Sequence, residues 1–419
     1  MRLTDVTVLD LTRLLPGPYA TQHLADLGAD VIKVQRPATG DEARAMAAGD
    51  GPDVFSAVNR GKRSVTLNLR VARAREAFLE LAADADVVVE SFRPGVADRL
   101  GVGYEAVREV APDVVYCSLS GFGATGPNRD RAGHDLNYVG MAGLLDMTRA
   151  ERGGRPAIPG FPVADMAGGL FGAFAIVAAL LDRELGDGGG EYVDVGLTDV
   201  VLNLSQAVAP RTFAGEDPHG RETTLTGAYP CYDVYETADG RYVTLAALEP
   251  EFWAAFCEAV DRPDLLDRQY AEDPTEREAV RETLAETFRE RTRDEWEELL
   301  GDEDAMVAPV YSLAEAVESD QARFRRRVRQ LAEPAAGPRV RGHGDHPAPA
   351  TVAHRGEHLA GDVVRAGEVH LDVAVPEVVR EALDRRDGVD QSRVVDEHVH
   401  AAGHQRGPAG EPQVHTGTC

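Results

Sequence analysis

The sequence predicts an α/β protein with a doubly wound, Rossmann-like large domain and a small α+β domain. Short β-branched runs alternate with helical stretches over the first two hundred residues, which is typical of a parallel sheet covered by helices. Near Tyr229 the pattern changes to a hairpin followed by helices. At 419 residues the chain is long enough for two domains.

The large domain is predicted to span residues 1–224. Strands are expected at 6–11, 30–34, 64–69, 86–90 and 113–119, where β-branched residues cluster. Helices are expected between them, for example at 19–27 and 71–83. The run from Met166 to Leu181 is apolar, rich in Gly and Ala, and shorter than a membrane span. We expect it to form a buried helix.

The small domain is predicted at residues 225–325. Asp239-Gly240, a favoured hairpin turn, separates apolar runs at 231–237 and 241–246. Apolar residues at helical spacing follow at 252–260, 277–290 and 294–300.

The segment 326–419 has an unusual composition. It holds nine of the twelve histidines but no Phe, Trp, Tyr, Ile, Met, Asn or Lys. Such a segment offers little for a hydrophobic core. Three interpretations are open: disorder, a partial return to the large domain, and translation in a shifted reading frame.

The charge of the chain excludes some partners. A formal net charge of -27 argues against a nucleic-acid partner and against anionic membranes. Lys33 and Lys62 are the only lysines, so nearly all positive charge is arginine. This composition indicates a salt-adapted, halophilic protein, and the alternative is the bias of a GC-rich genome.

The four cysteines are far apart in the sequence, with no CxxC spacing. They predict free thiols in a reducing compartment, without a zinc site or a disulfide framework. The first residues lack the basic segment and apolar core of a signal peptide. We therefore expect a cytoplasmic location.

The segment Gly121–Gly126 matches the GxGxxG pattern of dinucleotide sites. In such sites the third glycine opens a helix, but here a loop-forming run, Pro127–Arg131, follows. We interpret the segment as a turn.

Three residues are candidates for chemistry. His134 lies in a predicted loop among groups able to orient an imidazole. Asp165 precedes an apolar helix whose N-terminus can hold a developing oxyanion, and Gly168 and Gly169 would let a bulky ligand approach. Glu249 is placed to fix the tautomer of His134. Each also has a structural interpretation, as a loop histidine, a helix N-cap and a surface carboxylate.

These motifs occur in the order found in a known family. The chain resembles the class III CoA-transferase superfamily (CaiB/BaiF type), and within it the α-methylacyl-CoA racemases. The resemblance is carried by the Asp165 helix and by segments 14–37, 59–70, 90–105, 120–138 (SGFGATGPNRDRAGHDLNY) and 235–253. It implies an interlocked homodimer, with each active site between the large domain of one chain and the small domain of the other.

The resemblance also assigns residues to roles. His134 and Asp165 match the acid and base of the racemases, and Glu249 matches the residue that pairs with the histidine. The implied CoA contacts are Arg36, Leu67, Asn68, Leu69, Arg70, Arg93, Gly133, Asp135, Leu136, Asn137 and Tyr138.

His134 distinguishes the branches of the superfamily. The transferases use the aspartate matching Asp165 as a nucleophile and generally lack the histidine, whereas 1,1-proton transfer needs a second acid/base group. We therefore expect a racemase or epimerase of 2-methyl-branched acyl-CoA, with no metal or redox cofactor. The alternatives are a CoA-transferase and a non-catalytic CoA-binding protein, and the acyl chain itself is left open.

Overall fold

The computed structural model describes residues 3–46, 54–186 and 189–325, so the predictions made for 326–419 lie outside the described residues. Two sheets are present there. A parallel sheet has the order β3-β2-β1-β4-β5-β6, and an antiparallel sheet has the order β7-β8-β9. The strands are β1 (Thr7–Asp10), β2 (Asp30–Gln35), β3 (Arg63–Thr66), β4 (Val87–Glu90), β5 (Val115–Ser120), β6 (Tyr192–Gly196), β7 (Tyr232–Glu236), β8 (Tyr242–Ala246) and β9 (Val307–Pro309).

Helices connect and cover these strands. Those of the first two hundred and thirteen residues are α1 (Pro16–Asp26), α2 (Ala43–Met46), α3 (Val54–Asn59), α4 (Ala72–Ala82), α5 (Val96–Arg99), α6 (Tyr104–Val110), α7 (Asp135–Met141), α8 (Leu144–Met147), α9 (Val163–Leu185), α10 (Leu197–Asn203) and α11 (Ala209–Phe213). Those that follow are α12 (Pro250–Ala259), α13 (Pro274–Phe288), α14 (Arg293–Leu300), α15 (Leu313–Glu318) and α16 (Asp320–Phe324). Short 3-10 turns occur at Leu204–Ala207, Thr224–Thr226 and Pro263–Arg268.

The central strands of the parallel sheet are buried on both faces. In β4, Val87 and Val89 pack into a core with α1 and α9, whereas Val88 packs into a second core with α4 and α6. All three valines are fully buried. Continuous β-branched runs are expected of a strand that is covered on both sides. The predicted α/β class with a parallel sheet is thus confirmed.

Helix α9 forms the centre of one layer. Its residues Ala173, Ala175 and Ala179 are buried in the core with the sheet, while Phe174 and Leu170 are more than half exposed. With 23 residues it is longer than the predicted run, and by length and composition alone it could cross a membrane. Half of its apolar segment is buried against the rest of the chain, as expected for a core helix.

The small antiparallel sheet has a core of its own. Trp253, Phe256, Phe288 and Trp296 are buried together beneath Val243 of the hairpin. The hairpin and its turn at Gly240, with φ of +72°, match the prediction. The boundary predicted between residues 224 and 225 stays a prediction.

Some strands differ from the sequence analysis. The strand expected at 64–69 ends at Thr66. The Leu67 N–H still donates a hydrogen bond to the Gln35 carbonyl, and the chain leaves the sheet after that residue. Strands β6 and β9 were not predicted.

The GxGxxG segment forms a turn in which Gly123 and Gly126 have φ near +80°, and the next helix begins only at Asp135. The structure thus supports its interpretation as a turn.

Candidate active site

A pocket of about 200 Å³ lies at the carboxyl ends of the first strands. It sits beside β1, where the order of the sheet reverses between β2 and β4. Crevices at this position are the usual ligand sites of doubly wound sheets. The lining includes five of the predicted CoA contacts, namely Arg36, Leu67, Asn68, Leu69 and Arg70. Because β3 ends early, the last four belong to a loop that forms one wall.

A carboxylate joins two arginines at this pocket. Glu42 forms ion pairs with Arg13, at 2.9 Å, and with Arg36. Arg13 also lies over the ring of Phe92, 5.3 Å from its centroid. Arg13 Nε and Glu42 Oε2 are buried and have no hydrogen-bond partner among the described residues. Such atoms in a lined pocket indicate a polar ligand or bound water.

Lys33 lines the pocket, and the other lysine of the chain, Lys62, lies behind it, where both ammonium groups contact Asp10. Lys33 Nζ lies 3.1 Å from Asp41 Oδ2 and 3.7 Å from Asp10 Oδ2. Lys62 Nζ donates to Asp10 and to three further oxygens, those of Pro18, Thr21 and Asn59, at 2.7 to 3.1 Å. Burial alone would raise the pKa of Asp10, but the two ammonium charges hold it below its ordinary value. This network was not predicted from the sequence, although the scarcity of lysine marked both positions.

His134 lies at the start of α7, where it is the exposed N-cap residue. Its backbone N–H donates to Asn137 Oδ1 at 3.0 Å. In the same loop the buried Tyr138 donates its hydroxyl to the Gly133 carbonyl at 2.6 Å. A Cβ on Gly133 would lie 2.7 Å from the Tyr138 ring, so glycine is required there by close packing. Leu136 and Asn137 are exposed.

Asp165 lies in the first turn of α9, half-buried. Its backbone N–H donates to Asp135 Oδ1 at 3.0 Å, so the N-termini of α7 and α9 meet. Burial, and then the charge of Asp135, raises the pKa of Asp165 to about 7. The fold therefore brings His134 and Asp165 to neighbouring helix starts, which the sequence analysis could not establish.

Arg93 is exposed in the turn after β4. Burial and the charge of Asp165 raise the pKa of Tyr138, and the charge of Arg93 opposes this rise. Arg93 is thus close to the His134 loop.

The residue that ends β4, Glu90, is buried and accepts the Phe92 N–H at 2.6 Å. Burial raises its pKa to about 7. Glu90 was not predicted as a site residue, and its place at the end of an apolar run was the available signal.

The glycines after Asp165 have a different role from the expected one. A Cβ on Gly168 would lie 2.1 Å from Leu197, and one on Gly169 would lie 2.4 Å from the Pro16 carbonyl. These glycines allow α9 to pack closely on α10 and α1. The expectation that they admit a bulky ligand is wrong, because protein atoms already occupy that space.

Glu249 is the N-cap residue of α12, and it is exposed. The turn is fixed by Gln269, which donates to the Leu248 carbonyl at 2.9 Å. Among the described residues of this single chain, no hydrogen bond or ion pair joins Glu249 to His134. The predicted pairing of these two residues therefore stays a prediction.

Comparison with known proteins reveals clear relatives. The family model of CoA-transferase family III matches residues 3–354. The succinyl-CoA:mesaconate CoA-transferase of Haloarcula marismortui is 38% identical over 349 residues, covering 80% of this chain and 86% of that protein. The human alpha-methylacyl-CoA racemase is 34% identical over 324 residues, covering 76% and 80%. The crystal structure of a CAIB/BAIF family protein from Brucella suis has a TM-score of 0.66 at 31% identity, covering 77% of this chain and 87% of that one.

Proposed function

The chain belongs to CoA-transferase family III, and on that premise we propose that it is a racemase or epimerase of 2-methyl-branched acyl-CoA thioesters. One observation carries the proposal. His134 at the start of α7 and Asp165 in the first turn of α9 are brought together through the bond between Asp135 and the Asp165 N–H. Two acid/base groups are what a 1,1-proton transfer requires.

The proposed reaction proceeds through an enolate. One of the two side chains removes the proton beside the thioester carbonyl, and the other returns a proton to the opposite face. Asp165 suits this role because a pKa of about 7 leaves both of its protonation states populated at neutral pH. The reaction needs no metal or redox cofactor.

The enolate oxygen requires hydrogen-bond donors. First-turn amides of a helix have no acceptor within the helix. In α9 the amide of Asp165 already bonds Asp135, and that of Met166 bonds the Pro162 carbonyl at 3.0 Å. Ala164 is fully buried, whereas Val163 is partly exposed, so we assign the enolate oxygen to the amide of Val163.

The CoA portion is assigned to the pocket beside β1. Its phosphates would bind Arg36 and Arg70 in forked geometry, as guanidinium groups favour. Glu42 would have to release Arg36 for this to happen, since its carboxylate now holds that cation. The buried, unpaired Arg13 Nε supplies a further donor for a polar ligand.

We also propose that the protein acts as an interlocked homodimer in which Glu249 of one chain pairs with His134 of the other. Exposed apolar side chains on α9 to α11 support a covered surface, since Phe174 is 63% and Phe213 87% exposed. The exposed position of Glu249 leaves it free for such a contact.

The racemase is tested with one enantiomer of a 2-methylacyl-CoA in D2O, without an added acid acceptor. Inversion with uptake of deuterium at the α-carbon is expected, and His134→Ala should abolish it. Arg129→Ala, at an exposed position of the same loop, is the control. Full activity of His134→Ala would contradict the proposal, and CoA binding without exchange would favour a non-catalytic protein.

A second candidate is transfer of CoA between carboxylic acids. The 38% identity to a succinyl-CoA:mesaconate CoA-transferase favours it. The Asp165 carboxylate would attack the thioester, form a mixed anhydride and release the CoA thiolate. Trapping with hydroxylamine would then change the mass of the peptide that contains Asp165. Inversion without such trapping supports the racemase.

The shared site is tested by co-expression of two inactive chains, His134→Ala and Glu249→Gln. If the site is formed by two chains, a mixed dimer has one intact site, and about a quarter of the wild-type activity returns in a random mixture. A site formed within one chain gives no recovery.

A further inference from the structure

We propose that Asp135 is a positioning residue, whose carboxylate fixes the N-terminus of α9, and with it Asp165, against the loop that carries His134. This inference rests on the proposed proton transfer. The resemblance places Asp135 among the CoA contacts. Its Oδ1 atom, however, is directed at α9 and accepts the Asp165 N–H at 3.0 Å.

The hydrogen bond from the Asp165 N–H to Asp135 links the two candidate proton carriers because Asp135 is next to His134 in the chain. Asp135 is the first residue of α7 and is bonded covalently to His134, the N-cap. One hydrogen bond therefore connects the two candidate proton carriers, although they are separated by about thirty residues in the sequence. The loop on the other side of His134 is fixed by the bond from Tyr138 to Gly133. Both ends of the His134 segment are thus held.

Asp135 also adds charge at the site. Its carboxylate is half-buried and lies against the first turn of α9, so its interaction with Asp165 is only partly screened by water. A like charge at short range favours the protonated form of a carboxyl group. The pKa of Asp165 is raised first by burial and second by Asp135, in agreement with this geometry.

The test compares two substitutions at Asp135. Asp135→Asn keeps an oxygen acceptor in nearly the same shape but removes the charge, whereas Asp135→Ala removes both. Asp130→Asn is the matched control, because Asp130 lies in the same loop with 82% of its side chain exposed. Thermal melting of each variant establishes that it is folded.

The first measurement does not depend on activity. The full-length protein is labelled with 13C at its aspartate carboxyl carbons and titrated by NMR, and the Asp165 signal is the one absent from Asp165→Asn. The midpoint of this signal should fall by roughly one pH unit in Asp135→Asn. It should be unchanged in Asp130→Asn.

The second measurement is α-proton exchange. Asp135→Ala should lower kcat by roughly 10- to 100-fold with KM near wild type, because the reacting groups lose their alignment. In Asp135→Asn the pH profile of kcat should move with the NMR midpoint. Unchanged kcat in Asp135→Ala overturns the inference, whatever the midpoint in Asp135→Asn. If the wild-type protein exchanges no proton, the proposed function fails. The Asp165 signal of Asp135→Ala then decides on Asp135, and a midpoint equal to that of the wild type overturns the inference.

Discussion

Replacement of Asp165 by asparagine should stabilise the folded protein above neutral pH. The fold raises the pKa of this carboxyl from 3.8 to about 7, through burial and the charge of Asp135. Between these values the folded chain keeps a proton that the unfolded chain has lost. The stability that the protonated Asp165 carboxyl contributes is therefore present at low pH. It falls as the pH rises from 3.8 and is lost above about pH 7.

The size of the effect follows from the two pKa values. Their difference corresponds to about 4 kcal/mol of preference for the protonated carboxyl. Asp165 is only partly buried, so solvent screening reduces the expected effect to about 2 kcal/mol. Asparagine cannot ionise, so the variant should not lose the folding free energy that the wild type loses when Asp165 ionises at high pH.

The assay is denaturant unfolding of the wild type and the variant at one fixed KCl concentration. At about pH 8.5 the variant should be more stable by about 2 kcal/mol, and at about pH 4 by only about 0.5 kcal/mol. Asp182→Asn is the control, because Asp182 is exposed near the other end of α9. A variant that gains no stability at high pH, or gains as much at low pH, contradicts a raised pKa for Asp165.

Three further predictions concern stability. Lys62→Arg should lower the free energy of unfolding by about 3 kcal/mol, because a planar guanidinium cannot replace a buried ammonium among four oxygens. Arg63→Lys, at an exposed position, should change it by no more than about 0.5 kcal/mol. Gly169→Ala should cost about 2 kcal/mol, while Gly160→Ala, whose Cβ would meet nothing within 4 Å, should be neutral. If the protein is salt-adapted, unfolding should be markedly easier at low than at multimolar KCl, because salt screens the repulsion of a net charge of -27.

Each of these has a result that would contradict it. Equal stability of the Lys62 and Arg63 variants would remove the special role of the buried ammonium. A neutral Gly169→Ala would mean that α9 can move away from α1. Equal stability in low and high KCl would leave genome bias as the explanation for the charge.

Much of the fold was determined by local patterns. Buried parallel strands require continuous apolar runs, and these predicted β1, β2, β4 and β5 to within two residues at each end. Strand β6 was missed because Asp194 interrupts its apolar run. Strand β3 was predicted too long because Leu67 and Leu69 continue its apolar pattern, although they line the pocket.

The residue types available for chemistry, and the order of the segments that resemble the family, can be read from the sequence. Which of these residues meet depends on the packing of the folded chain. The hydrogen bond between Asp135 and the Asp165 N–H joins groups thirty residues apart, and no local periodicity encodes such a contact. The role of Gly169 was likewise decided by its neighbour, the Pro16 carbonyl. A side chain acts through its surroundings, and packing between distant segments creates those surroundings.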